Sequence, residues 1–327
     1  MANLLITHGV PMDGWLLTQG HVTLYPGHGQ AFSREDLLQM LPTADAVLAC
    51  GTMDAEMIKR ARQLKLIVCY GAGYDAIDIA QATKQRIPVV NIPETVVAPT
   101  AELAVTLMMN LARRVPYLNN VMHTEQAVEA FGLGKQMGVS LYGSVLGIVG
   151  MGRIGSRVAQ IGRALGMQII YHARQPKPEQ EAMGAEYRAL PALMTQADFV
   201  SLHCPLTPET TGLITRELLF AMKPTAFLIN TARGLVVDEA ALLEALQQKR
   251  IAGAGLDVFV GEPRINPLFS SLPNVILTPH VGSNTLQARR EMVREASLRI
   301  QEVVLEGRKP VHLLNPEAWI GGEPAQA

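Results

Sequence analysis

Short apolar runs alternate with amphipathic stretches along the whole chain. Leu4-Leu5-Ile6, Ala46-Val47-Leu48 and Leu66-Ile67-Val68 read as buried strands, and residues 34–41 and 54–64 between them read as helices. A β-α-β-α rhythm of this kind predicts a parallel sheet covered by helices on both faces. The rhythm continues through strands at 145–149, 168–171, 199–202, 226–229, 253–256 and 275–277. That is more strands than one sheet of ordinary width holds, so two doubly wound α/β domains are expected. A nearly all-apolar helix over 100–122, opened by Thr100 as its cap, and a second long helix over 285–305 mark natural crossing points. Residues 1–98 with 284–327 are expected to form one discontinuous domain, and residues 99–283 a second domain inserted into it.

The length of 327 residues agrees with two domains at about 150 residues each. Lys plus Arg is 28 against Asp plus Glu 29, a formal charge of -1. That balance argues against a chain held to nucleic acid or to an anionic membrane by a bulk positive field. An apolar fraction of 48% with 17% charged residues fits large cores and not disorder. The three cysteines, Cys50, Cys69 and Cys204, are too few and too scattered for a disulfide framework or a CxxC knuckle, and read as buried thiols. No signal-like leader and no apolar run near the ~18 residues of a membrane span is apparent, so a cytoplasmic protein is expected. No metal-ligand set is visible.

One segment carries specific chemistry. The strand 145–149 runs into Gly150-Met151-Gly152-Arg153-Ile154-Gly155, and a helix over 156–165 follows. In that context GxGxxG reads as a dinucleotide loop. Gly150 allows the tight turn, Gly152 lets the backbone approach a pyrophosphate, and Gly155 lets helix and strand pack closely. The helix N-terminus offers N–H groups and a partial positive charge to the phosphates. The next strand ends in His172-Ala173-Arg174 with no acid to accept the ribose 2′-hydroxyl of NAD. Arg174 can instead pair with the 2′-phosphate of NADP, or simply stand on an exposed loop.

Three later strand ends each supply one reactive residue: Arg233 in Asn230-Thr231-Ala232-Arg233-Gly234, Glu262 in Gly261-Glu262-Pro263, and His280 in Thr278-Pro279-His280-Val281-Gly282. Arginine can grip a carboxylate in a fork, and histidine beside a carboxylate can give or take a proton near neutral pH. Taken singly, each is as well explained by a structural ion pair or a loop residue. Together, and in this order after the glycine loop, they resemble the D-isomer-specific 2-hydroxyacid dehydrogenases. The matching stretches are GIVGMGRIG (147–155), HCPLTPETTGLI (203–214), NTARGLVVDEAAL (230–242), AGLDVF (254–259), GEP (261–263) and TPHVGS (278–283), with YGAGYDAID (70–78) and PTAELAVTLMMNLAR (99–113) nearer the start.

The resemblance implies a Rossmann cofactor domain inserted into a flavodoxin-like substrate domain. It implies Arg233, Glu262 and His280 as catalytic residues, with His280 the proton donor, and Ala72 and Gly73 amides on the substrate carboxylate together with Arg233 and His280. It implies cofactor contacts at Thr106, Cys204, Pro205, Thr231, Ala232, Asp257 and Gly282, besides the glycine loop and Arg174. The implied reaction is hydride transfer between a nicotinamide cofactor and a small 2-oxoacid, most similar in pattern to glyoxylate/hydroxypyruvate reductases. NADPH is the expected cofactor, with NADH possible. Phosphoglycerate or D-lactate dehydrogenase, or a non-catalytic NAD(H)-sensing protein of the same fold, are the alternatives. The segment 126–138, with Phe131 and no Trp, corresponds to one that reaches a partner subunit in relatives, so a homodimer through the cofactor domain is expected.

Overall fold

The computed structural model describes residues 2–320. Residues 2–96 with 283–320 form one compact unit, and Val97–Gly282 the other. The breaks lie two residues and one residue before the positions expected from sequence, because the helix that opens the second unit begins at Val97.

The first unit contains β1 (Asn3–Ile6), β2 (Val22–Leu24), β3 (Ala46–Ala49), β4 (Leu66–Cys69) and β5 (Val89–Asn91), all parallel, in the order β2-β1-β3-β4-β5. Side chains alternate across the sheet, as a strand period of two requires. Leu5, Val47, Ala49, Ile67 and Val89 pack on one face, while Leu4, Ile6, Leu48, Val68 and Val90 meet Val293, Ala296 and Ile300 on the other. That second layer is the helix Leu286–Ile300, whose start Thr285 caps by accepting from the Ala288 amide. It ends in a π turn, Gln301–Leu305, so the single long helix expected over 285–305 changes its winding partway.

The second unit holds seven parallel strands: β6 (Val145–Val149), β7 (Gln168–His172), β8 (Ala185–Tyr187), β9 (Phe199–Leu202), β10 (Phe227–Asn230), β11 (Gly253–Leu256) and β12 (Val275–Leu277). Their order is β12-β11-β10-β9-β6-β7-β8, a Rossmann order with one strand added beyond β11. The order reverses between β6 and β9, and all strands point the same way, so every strand-exit loop emerges at one sheet edge.

Two expectations need correction. The helix expected over 100–122 is two helices, Val97–Arg113 and Val115–Met122, and Thr100 lies buried inside the first instead of capping it. The break is Arg114 at φ 56°, just before Pro116, which lacks the N–H that a continuing helix would need. The strands β2, β5 and β8 were not expected at all. Each has three residues and lies at a sheet edge, where one flank needs no apolar cover.

The edge strand β5 is closed by the end of the first unit. Leu313 bridges Val90 in antiparallel sense, and the fully buried Asn315 accepts from the Val89 amide (2.7 Å) while donating to the Ile87 carbonyl (2.9 Å) and the Thr83 hydroxyl (3.1 Å). Replacing Asn315 with Ala leaves the Val89 amide and a buried carbonyl short of partners. Asn315→Ala should cost about 2–4 kcal/mol in the first unit, read from its urea transition; a loss below about 0.5 kcal/mol contradicts the clamp.

Candidate active site

The site is built from the loops leaving β6, β9, β10, β11 and β12. After β6 the chain turns at Gly150, with φ 99° and its α-carbon against the next loop: a Cβ there would lie 2.5 Å from the Cys204 amide nitrogen. At Gly155 a Cβ would lie 2.1 Å from the Gly150 carbonyl oxygen. These two glycines are therefore fixed by packing. Gly152 differs, since a Cβ there would meet nothing within 4 Å. It caps the helix Arg153–Ala164 without a side-chain bond to the first-turn amides. An open glycine above uncapped N–H groups is a cradle of the kind a pyrophosphate fills. The loop also holds Met151, which is buried, and Ile154, which packs against the helical side of the sheet.

Next to the cradle, β9 leads into His203, Cys204 and Pro205. His203 is anchored by its amide to the Val149 carbonyl (2.7 Å) and by Nε2 to the Ser201 hydroxyl (2.8 Å). Burial pushes its pKa down to about 3, so it remains neutral and is no source of protons near pH 7. Cys204 is buried, and burial pushes its thiol up to about 11.

At the end of β10 the buried Asn230 organises the turn. Its side chain accepts from the Ala232 amide (3.0 Å) and donates to the Arg233 carbonyl (2.9 Å). The Thr231 hydroxyl is buried and has no hydrogen-bond partner among the described residues, a vacant donor and acceptor at a strand end. Gly234 allows the loop after β11 to come close, for a Cβ there would lie 2.1 Å from the Phe259 carbonyl carbon. That approach puts the Arg233 turn against the segment that carries Glu262.

Glu262 and His280 meet directly. Glu262 Oε2 accepts from His280 Nδ1 at 2.7 Å, and Oε1 accepts from the Phe259 amide at 2.8 Å. Burial by itself would raise the Glu262 carboxyl. The His280 and Phe259 bonds, with the charges of His280 and Arg233, outweigh it and hold the group below its ordinary value. Arg233, Glu262 and His280 are thus brought into one cluster. His280 has φ 52°, an unusual conformation for a side-chain-bearing residue, and its surroundings enforce it. Its amide donates to the Asp257 carbonyl (2.9 Å). The Asp257 carboxylate accepts from the Thr278 hydroxyl (2.6 Å) and the amides of Val281 (2.9 Å) and Gly282 (2.9 Å). Asp257 is 1% exposed, and burial raises its carboxyl despite those three donors.

The other expected residues are more scattered. Arg174 is exposed beyond β7; its charge, after the Thr207 hydroxyl bond, helps hold the Glu209 carboxyl below its ordinary value. Thr106 is exposed on the helix Val97–Arg113. Thr100, nearly two turns earlier on that helix and not expected at the site, stands beside Gly282. In the first unit Ala72 and Gly73 follow β4 in a turn opened by Gly71 at φ 143°. The Ala72 carbonyl accepts from Asn91 Nδ2 (2.8 Å) and the Gly73 carbonyl from the Cys69 thiol. The amides of Ala72 and Gly73 have no partner among the described residues. Sequence reasoning passed over Asn230, Thr278 and Asn91. In each of the two asparagines the available signal was a polar residue ending an apolar strand.

No group of three or more potential metal ligands occurs among the described residues, and no described helix is long and apolar enough to cross a membrane. Residues 105–282 match the D-isomer specific 2-hydroxyacid dehydrogenase NAD binding domain. A glyoxylate reductase of Thermococcus litoralis is 42% identical over 294 residues, 88% of each chain. Among solved structures, a Thermus thermophilus protein superimposes with a TM-score of 0.87 at 38% identity, covering 95% of this chain and 99% of its own. An NADPH-dependent glyoxylate/hydroxypyruvate reductase from Sinorhizobium meliloti, solved with NADP and malonate, gives 0.85 at 28% identity, covering 98% of both chains. With likenesses that run along nearly its full length and an open glycine turn at the reversal of its strand order, this chain belongs to the D-isomer-specific 2-hydroxyacid dehydrogenases and is an NAD(P)-dependent oxidoreductase.

Proposed function

We propose that the enzyme reduces small 2-oxoacids of the glyoxylate and hydroxypyruvate type to the D-2-hydroxyacid, with NADPH as preferred cofactor. The observation that carries this reading is the 2.7 Å bond between His280 Nδ1 and Glu262 within reach of the Arg233 charge. With Nδ1 engaged, Nε2 is the nitrogen left to hand a proton to a carbonyl oxygen. The Arg233 fork suits a carboxylate and the partial charge growing on the neighbouring oxygen. In the first unit, the unpaired amides of Ala72 and Gly73 suit a substrate carboxylate. The cradle from Gly150 to Gly155 suits the pyrophosphate, and the unpaired Thr231 hydroxyl and one remaining lone pair of Asp257 Oδ2 suit the polar end of the nicotinamide. When bound, that cofactor supplies the hydride. The names of the Thermococcus and Sinorhizobium relatives support the substrate class. A panel of 2-oxoacids at one NADPH concentration tests it: glyoxylate and hydroxypyruvate should lead, and absence of turnover with every 2-oxoacid would overturn the reading.

The homodimer is also proposed, through the second unit. Tyr117, Met122, Val128, Phe131, Leu133 and Met137 leave a run of large apolar side chains exposed between residues 115 and 142, more than a monomer ordinarily leaves uncovered. Light scattering at micromolar concentration should give twice the mass of one chain; a single species of one-chain mass contradicts it.

Glu262 governs the pH profile. Its carboxyl is held below the ordinary 4.5, so the anion beside His280 persists as pH falls through that value, and the acid limb it sets lies lower still. In Glu262→Gln the acid limb that this carboxyl sets should disappear, as kcat/KM against pH will register. An unchanged limb contradicts the pairing.

NADPH preference rests on two elements. No acid stands at His172-Ala173-Arg174 to repel a 2′-phosphate, and Arg174 can attract one. Arg174 is exposed and shares its field with Glu209, so the preference should be about 10- to 100-fold in kcat/KM. Ala173→Asp combined with Arg174→Leu should move it toward NADH. Equal kcat/KM for both cofactors in the unaltered enzyme would contradict the assignment.

A further inference from the structure

The turn after β4 is held in a way the proposed chemistry does not yet use. A peptide group is planar and trans, so a carbonyl and the next residue's N–H point in opposite directions across one rigid plane. Holding the Gly71 carbonyl therefore aims the Ala72 amide, and holding the Ala72 carbonyl aims the Gly73 amide. Both carbonyls are held from the end of β5. The Ile92 amide donates to the Gly71 carbonyl at 3.0 Å, and Asn91 Nδ2 donates to the Ala72 carbonyl at 2.8 Å. The first bond is backbone to backbone and survives any side-chain change. The second depends on one side chain alone. Asn91 follows two valines at the end of a buried strand and is itself 8% exposed. A carbonyl can only accept, so the amide nitrogen of Asn91 is the end that faces it.

We infer that Asn91 is a positioning residue for the substrate carboxylate: by fixing the Ala72 carbonyl it aims the Gly73 amide at a carboxylate oxygen, without touching the substrate. This rests on the reading that the Ala72 and Gly73 amides receive that carboxylate. Gly73 is exposed and has no side chain to pack, so without Asn91 its peptide plane can turn. A pre-aimed donor retains affinity that a turning one loses.

The test combines kinetics with glyoxylate at saturating NADPH and amide ¹⁵N–¹H spectra of the NADP-bound wild type with oxamate, a carboxylate that is not reduced. Oxamate should shift the Ala72 and Gly73 amides. Asn91→Ala should raise the glyoxylate KM about tenfold or more, with kcat changed much less and NADPH affinity unchanged. Asn91→Asp adds a signature that a merely structural asparagine would lack. Its ionised side chain repels the Ala72 carbonyl and its protonated form donates to it, so its KM, relative to wild type at each pH, should fall as pH falls. If oxamate shifts neither amide, the carboxylate reading fails and Asn91 has nothing to aim. If both amides shift while Asn91→Ala keeps the wild-type KM, the reading stands and the inference is overturned. Should Asn91→Ala not fold, Asn91→Asp decides: a KM ratio independent of pH overturns the inference.

Discussion

The loop that carries His280 in the second unit hangs on one buried carboxylate. Asp257, at the exit of β11, receives the Thr278 hydroxyl and two successive amides, Val281 and Gly282, from the loop that leaves the neighbouring strand β12. Its own carbonyl receives the His280 amide. Four bonds from one residue fold that loop around it and hold His280 in a backbone conformation it would not adopt unaided. The imidazole is thereby carried to Glu262, which the Phe259 amide holds from the opposite side. Burying a carboxylate is costly unless donors surround it, and here the donors are the loop being shaped. An aspartate that the sequence suggests as a cofactor contact is thus also the anchor of the loop that carries His280.

The two units meet related demands by different means. In the second, the geometry comes from close approaches: Gly150 against Cys204, Gly155 against Gly150, Gly234 against Phe259. Gly150 and Gly234 each lack a Cβ where two strand-exit loops touch, and Gly155 lacks one where its helix meets the loop before it. In the first, the turn after β4 is held by its carbonyls, and the amides of Ala72 and Gly73 have no partner among the described residues. Backbone donors held in this manner cost no side-chain entropy when an anion arrives.

The central strands were readable because their residues are apolar on both faces. Leu146, Ile148 and Val149 sit in cores on opposite sides of β6, and such a run has few alternatives. The edge strands Val22–Leu24 and Ala185–Tyr187 were not, since three residues with one polar or open flank give neither a run nor a period. Arg114 broke a helix that apolar content alone would continue, and only Pro116 hinted at it. For the site, the glycine loop was legible because spacing, strand and helix all agree. Arg233, Glu262 and His280 were legible together and through resemblance. The Asp257 anchor and the Asn91 bond were not, because the residues they join lie 19 to 25 positions away and sequence order does not say which way a side chain points.

The proposed reduction stands on His280, oriented by Glu262, delivering the proton to the carbonyl oxygen. Single-turnover oxidation of NADPH with saturating glyoxylate, followed in His280→Ala beside the unaltered enzyme, tests it most directly. Loss of general acid catalysis should slow the turnover by about 10²- to 10⁴-fold while NADPH binding stays unchanged. A rate within a few-fold of the unaltered enzyme would show that the proton comes from another group.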